Sequence, residues 1–249
     1  MERFLKSRYR IGEKLSENPF SITYKGTFLA TDKPLVIKIY KRGTLSSNLI
    51  RNMKQKVKEL SQISYHGIAK LIDGDYGWQG FYYVREFVPG TSLKELLANK
   101  EKLGEEKAVL IAEEACRALE FTHERGIVHG ALAPSNIIVD KKGVVKLVDF
   151  VIEGEIKESY PQKAEVVLSA GKHYMSPEEI LGCAATAASD VYALGLILSE
   201  MLSQAGELPR CLQEIIQRSL QRDPLLRFSS AKEVRESLEH KSIVLKAPA

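Results

Sequence analysis

The apolar residues of this chain change their period once, and that change constrains the fold more than any other feature. Up to Phe87 they come in short β-branched and aromatic runs, Tyr24–Phe28, Leu35–Tyr40 and Phe81–Phe87, separated by turn residues. Beyond Val88-Pro-Gly90 they recur at helical spacing. Strands first and helices afterwards predict an α+β chain in two segregated parts, 1–88 and 89–240, with 241–249 as a tail or linker. Asn52–Ile63 reads as a helix within the first part. Ser92-Leu-Lys-Glu95 carries a capping box that opens a short helix just after the break.

The second part is organised by its helices. Glu105–Thr122 places Val109, Ala112, Cys116 and Leu119 on one face. Ser189–Leu202 is apolar nearly all round, which predicts a buried central helix. Cys211–Leu220 carries Leu212, Ile215, Ile216 and Leu220 at helical spacing, and Ser230-Ala-Lys-Glu233 is a second capping box that opens the last helix. A 249-residue chain that is 44% hydrophobic and 27% charged can build a core of useful size.

Charge and cysteine usage narrow the function classes. The net charge is +4 and the basic residues are dispersed, so no nucleic-acid partner is expected. A basic N-terminal stretch (Arg3, Lys6, Arg8, Arg10, Lys14) suits either phosphate or acidic lipid or, as we favour, a solvated strand edge. Cys116, Cys183 and Cys211 lack metal-type spacing, and Cys116 falls on an apolar stripe, so a buried reduced thiol is expected there. No apolar run is long enough to span a bilayer and no signal-peptide pattern opens the chain, which makes a cytoplasmic protein the expectation.

Chemistry concentrates in three segments. Asn136–Val139 and Val144–Val148 are strand-like runs joined by Asp140-Lys-Lys-Gly143, a hairpin-turn composition. Folding them back brings Asn136 toward Asp149, two oxygen donors suited to a hard cation such as magnesium. In the strand Leu35–Tyr40, alternation places Lys38 on one face with Val36 and Tyr40. The third segment is His129-Gly-Ala-Leu-Ala-Pro-Ser-Asn136.

That third segment resembles the catalytic loop H-R-D-L-K-P-x-N of the eukaryotic-type protein kinase family. His129, Leu132, Pro134 and Asn136 match; Gly130, Ala131 and Ala133 stand in place of the Arg, the Asp and the Lys. The resemblance extends over residues 9 to 240 and implies a bilobal protein-kinase-like fold. The N-lobe is then small and β-rich, and the C-lobe mainly helical and shortened after Leu202. Lys38 corresponds to the Lys of V-A-I-K, with Val36 replacing Ala, and Asp149-Phe-Val151 corresponds to D-F-G.

The resemblance implies ATP with Mg2+ as the cofactor, Asn136 and Asp149 being the metal positions. Around the nucleotide it places Lys38, Val36, Thr23, Glu86, Val88 and Ile138. Ser16, Asn18 and Ser21 take the places of the three glycines of the phosphate-covering loop. Asn tolerates the left-handed region and Ser is small, so the hairpin can form, but its amides are poorly suited to clasp phosphate and Pro19 has none.

Other correspondences carry structure. Leu60, Leu71, His129 and Phe150 match the family's stacked hydrophobic spine, Glu178 and Arg227 its buried ion pair, and Asp190 the residue that ties down the catalytic loop. The Glu partner of Lys38 falls at about Lys56, with Glu59 nearby, and the short loop before Ile68 leaves that register open. Arg85 takes the gatekeeper position and can fill the adenine pocket, pair with Glu59 or Asp149, or turn outward. The segment between Leu202 and Pro209 is shorter than the family's substrate-docking stretch. With Gly130 in place of Arg, Val151–Tyr174 is expected to take its order from packing rather than phosphorylation.

Three functions remain open. The first is a pseudokinase that acts as a regulatory or scaffolding module toward a protein partner, with residual Mg-ATP binding. The second is a weak phosphotransferase using Lys38, Asn136 and Asp149. The third is a pure protein-interaction module with its cleft closed by Val36 and Arg85.

Overall fold

The computed structural model describes residues 3–99, 103–150, 172–203 and 207–246. They divide at Val88–Pro89 into two compact units. The first is built on a six-stranded antiparallel sheet: β1 (Arg3–Leu5), β2 (Tyr9–Glu17), β3 (Ser21–Phe28), β4 (Lys33–Lys41), β5 (Leu71–Gly77) and β6 (Gly80–Glu86), in the spatial order β1-β2-β3-β4-β6-β5. β-branched and aromatic side chains suit these positions because they pack well on a pleated, half-buried surface.

Alternation sets the two faces of this sheet. Leu35, Ile37 and Ile39 of β4 join Tyr24, Tyr82 and Val84 in one core, which Leu5, Tyr9 and Ile11 complete. The sheet curls until the turn between β1 and β2 and the start of β2 reach the far edge strand, β5. Arg8 lies 3.5 Å from Asp73 of β5, Tyr9 Oη donates to Asp73 at 2.9 Å, and Lys6 pairs with Asp75. Burial, with the Asp73 carboxylate beside it, pushes the Tyr9 phenol up to about 12.

Helix α1 (Ser47–Ser61) buries Leu49, Met53, Val57 and Leu60. It lies against β5 at Gly74, where a Cβ would come within 2.9 Å of both Val57 methyls. The sequence predicts this helix from Asn52; it starts five residues earlier because Ser46 caps it, accepting from Leu49 N at 3.3 Å. Of the N-terminal basic stretch only Arg3 lies on the edge strand: Lys6 and Arg8 are in the turn after it and Arg10 and Lys14 in β2, and Lys6, Arg8 and Lys14 are ion-paired.

Near the start of the second unit Gly90 has φ +147°, which brings a Cβ position within 2.6 Å of Val139 O, a place only glycine fits. A small sheet follows, β7 (Thr91–Ser92) with β8 (Ile137–Val139) and β9 (Val145–Leu147). Its described residues also form helices α2 (Leu93–Ala98), α3 (Glu105–His123), α4 (Pro177–Ile180), α5 (Ala187–Leu202), α6 (Arg210–Ser219) and α7 (Ala231–Lys246). The capping box of α2 forms as expected, with Ser92 N donating to Glu95 at 2.9 Å.

Helix α5 is buried along most of its length, and α3 and α7 are tied by Arg235–Glu120 at 2.9 Å and Arg117–Glu239 at 2.7 Å. Cys116 is fully enclosed, and that burial holds its thiol well above the usual range. Two boundaries differ from expectation. The last helix continues to Lys246, through residues assigned to a tail, because no breaker precedes Pro248. At its start Ser230 accepts from Glu233 N at 3.5 Å, but the Glu233 carboxylate turns to Ser229, taking its Oγ at 2.7 Å. Among the described residues no helix is long and apolar enough to cross a membrane. The expectation for Val151–Tyr174 falls mainly outside the described residues.

Candidate functional site

The loop from His129 to Asn136 is held by one buried carboxylate. Asp190 of α5, 2% exposed, accepts from His129 N at 2.7 Å and from Gly130 N at 2.9 Å, and lies 2.9 Å from His123 Nε2. Gly130 adopts φ +67°, a conformation a Cβ disfavours. The His129 ring, fully buried, approaches Val148 O through Nε2 at 3.2 Å and accepts from Ala131 N through Nδ1 at 3.3 Å. Its ring also stacks on Phe150 with centroids 4.4 Å apart.

Ala131 thus sits on an ordered backbone, half-buried, with a methyl side chain. Asn136 donates through Nδ2 to Ala131 O at 2.9 Å, which fixes its amide orientation, and its Oδ1, which accepts from Ser135 Oγ at 3.4 Å, is the end with a lone pair to offer a cation. Ala133 is buried and also offers no charge.

The hairpin read from the sequence brings Asn136 and Asp149 together. Ile137 pairs with Leu147, and Val148 N donates to Asn136 O at 3.0 Å, so Asp149 follows directly beside Asn136. Asp140 closes the turn by accepting from Lys142 N and Val144 N at 2.7 and 2.8 Å. Asp149 has φ +62°, a strained region for a residue other than glycine and a place where functional residues collect.

An amide oxygen and a carboxylate fit a magnesium ion, though two donors are too few alone. Among the described residues no group of three or more His, Cys, Asp or Glu side chains is arranged to hold a metal, so such an ion would complete its shell with oxygens from outside the chain, water or phosphate. Ile138 faces the same hairpin, opposite Lys146, and is half-buried.

In the first unit, Thr23, Lys38 and Tyr83 stand in one row across β3, β4 and β6, with Lys25, Val36 and Arg85 in the row two residues along. Lys38 is 6% exposed, and its ammonium lies 5.8 Å from the centroid of the Tyr40 ring. Val36 is buried as well. Arg85, half-buried, donates to Glu86 O at 3.3 Å. It does not take Glu59 as a partner: Glu59 is exposed on α1 and accepts from Gln55 Nε2 at 3.0 Å. Lys56 is half-buried on that helix, one turn before the buried Leu60. Glu86 and Val88 are half-buried at the end of the unit.

The hairpin between β2 and β3 carries the loop residues. Ser16 is exposed, whereas Ser21 is 3% exposed and opposite Tyr40. Asn18 Oδ1 accepts from Phe20 N at 2.9 Å, from Ser21 N at 2.7 Å and from Ser21 Oγ at 3.2 Å. Glu17 bridges Lys41 and Lys14 at 2.9 Å each, and these two ammonium groups lower its carboxyl to about 2. The acceptor role of Asn18 was not read from the sequence; the signal available was an Asn two and three residues ahead of free amides, an Asx-turn pattern.

Residues 9–242 match the family model of the protein kinase domain. The chain belongs to that family. Among curated relatives, a probable serine/threonine-protein kinase of Clostridium perfringens is 26% identical over 95% of this chain and 38% of its own length. The probable serine/threonine-protein kinase PknB of Lactococcus lactis is 31% identical over 83% of this chain and 33% of its own. The serine/threonine-protein kinase PrkC of Bacillus subtilis is 30% identical over 82% and 31%. The chain therefore spans about a third of the length of these relatives.

Among solved structures, Rad53 1–466 in complex with AMP-PNP superimposes with a TM-score of 0.73 at 20% identity, covering 91% of this chain and 63% of that one. The fold is the bilobal α+β kinase fold expected from the sequence. The kinase domain keeps each half of the expected site within its own unit: Ala131, Ala133, Asn136, Ile138 and Asp149 in the second, the Lys38 row and the hairpin loop in the first.

Proposed function

We propose that this kinase domain is a pseudokinase, a regulatory or scaffolding module that presents its shape to a protein partner and retains binding of Mg-ATP. The observation that carries this reading is Ala131. In the family an Asp at this position accepts the proton of the attacking hydroxyl. Here the backbone is in place, pinned by Asp190 and Asn136, and no titratable atom projects from it. Losing a general base reduces rate by about 10²–10⁴-fold. The absence of a cation at residue 133 and the filled loop tip add to that loss. Mg-ATP binding is supported by Lys38, buried in its strand row, and by the hairpin register that brings the Asn136 and Asp149 positions close in the chain fold.

Radiolabelled ATP with generic protein substrates should give no transfer above background, while Mg-ATP raises the thermal midpoint and Lys38→Ala abolishes that rise. Turnover of about 1–100 s⁻¹, normal for working kinases, would refute the reading. The adjacency of Asn136 and Asp149 favours a second reading, a weak phosphotransferase that works by positioning and charge alone. Slow labelling abolished by Asp149→Ala would select it.

A further inference from the structure

Three donors at the tip of the β2–β3 hairpin converge on one atom. Phe20 N, Ser21 N and Ser21 Oγ lie 2.9, 2.7 and 3.2 Å from Asn18 Oδ1. Two successive backbone amides and a hydroxyl aimed at one point make a concave donor set of the kind that takes an anionic oxygen. Here that point is filled by a carbonyl oxygen of the chain itself.

The remaining backbone groups of the tip are committed too. Asn18 N donates to Ser21 O at 2.9 Å, Lys41 N donates to Phe20 O at 2.7 Å, and Pro19 has no N–H. Ser21 is almost fully enclosed, so the tip is seated on the sheet in this closed arrangement. The hairpin is complete without a ligand.

We infer that Asn18 is a built-in occupant of the donors that would otherwise hold phosphate, and that it sets the ligand selectivity of the nucleotide site. The inference rests on the reading that the site takes a nucleotide. A phosphate seeking these amides must first displace the Asn18 carboxamide from all three of its donors. Binding a purine and its ribose requires no such exchange. The wild-type chain therefore gains little from the terminal phosphates through this loop, and Lys38 is left as their main ligand in the first unit. Removing the carboxamide leaves the three part-buried donors without their acceptor, and hydrogen bonds to a charged acceptor are stronger than those to a neutral one.

Equilibrium titration of Mg-ATP and, separately, of adenosine against wild type, Asn18→Ala, Asn18→Gly and Asn18→Asp tests this. Asn18→Ala removes the acceptor without adding backbone freedom, so it reads the effect even where the glycine variant folds poorly. Both variants should bind Mg-ATP about tenfold more tightly, equivalent to about 1.4 kcal/mol, with adenosine unchanged. Asn18→Asp keeps an acceptor at the same point and adds a charge that repels phosphate, so it should bind Mg-ATP no better than wild type. Adenosine binding with no gain for Mg-ATP in either the Ala or the Gly variant overturns the inference. Equal tightening of both ligands also overturns it, because the loop would then be loosening the site as a whole. Failure of all four proteins to bind either ligand removes the nucleotide site itself, and this role of Asn18 with it.

Discussion

Arg227 shows how much a single side chain can hold. Its guanidinium is fully shielded, and its three nitrogens make five hydrogen bonds: two to Glu178 at 2.7 and 2.8 Å, and one each to the carbonyls of Ala188, Gln221 and Arg222. Burial alone would raise the Glu178 carboxyl, but the hydrogen bonds from Arg227, the backbone, Ser176 and Ser189 together outweigh it and lower the carboxyl to about 2. The folded value lies below the unfolded one, so this stability is fully present above about pH 4.5 and is lost as the pH falls toward 2. Glu178→Gln leaves a buried cation without its counter-charge and should cost roughly 3–5 kcal/mol in urea unfolding at pH 7. The variant should also lose less stability than wild type between pH 4.5 and 2; an equally steep loss would show that other carboxylates carry the acid transition. The pair was legible from Ser176-Pro-Glu178 and Asp223-Pro-Leu-Leu-Arg227. Asn18 was not, since a side chain hydrogen-bonding its own turn leaves no periodic trace.

At the scale of elements, strands β3, β4 and β6 and helices α3, α5 and α6 were legible because each carries a run long enough to show its period. Strand β1 was not. It has only three residues, and its turn places Lys6 and Ser7 at φ +47° and +52°, without the Asn or Gly that usually marks such a turn. What fixes it is long-range charge: Asp75 of β5 binds both Lys6 at the tip of the β1–β2 hairpin and Lys54 of α1, which draw its carboxyl well below the usual range against the effect of burial. One carboxylate thereby joins an edge strand, the opposite edge and the helix. Asp75→Asn should lower stability by about 1 kcal/mol, the scale of a partly exposed network. Hydrogen exchange gives the sharper reading: amides of β1 and its partner residues Tyr9–Ile11 should exchange faster in the variant, while those of β4 stay protected. Unchanged exchange in β1 would assign its hold to the apolar contacts of Leu5 alone.

Across the whole molecule, a single change of hydrophobic period, from strand-like to helical after Phe87, lies beside the division of the two units at Val88–Pro89. The catalytic deficit that we propose is distributed differently from the fold. Its parts belong to both units: Ala131 and Ala133 in the loop pinned by Asp190, the half-buried Lys56 on α1, and Asn18 closing the hairpin tip. Phosphoryl transfer depends mostly on positioning and electrostatics, so these defects act on separate requirements, and repairing one leaves the others limiting. Ala131→Asp restores the general base on a backbone already in place. Were the missing base the whole deficit, labelling by the variant should rise about 10²–10⁴-fold over wild type. The distributed deficit leads us to expect labelling within tenfold of wild type, measured with radiolabelled ATP at saturating magnesium on variants matched for thermal midpoint. A hundredfold rise in Ala131→Asp alone would mean that the nucleotide and the metal are already held in a reactive arrangement, and that one methyl group separates this chain from a working kinase.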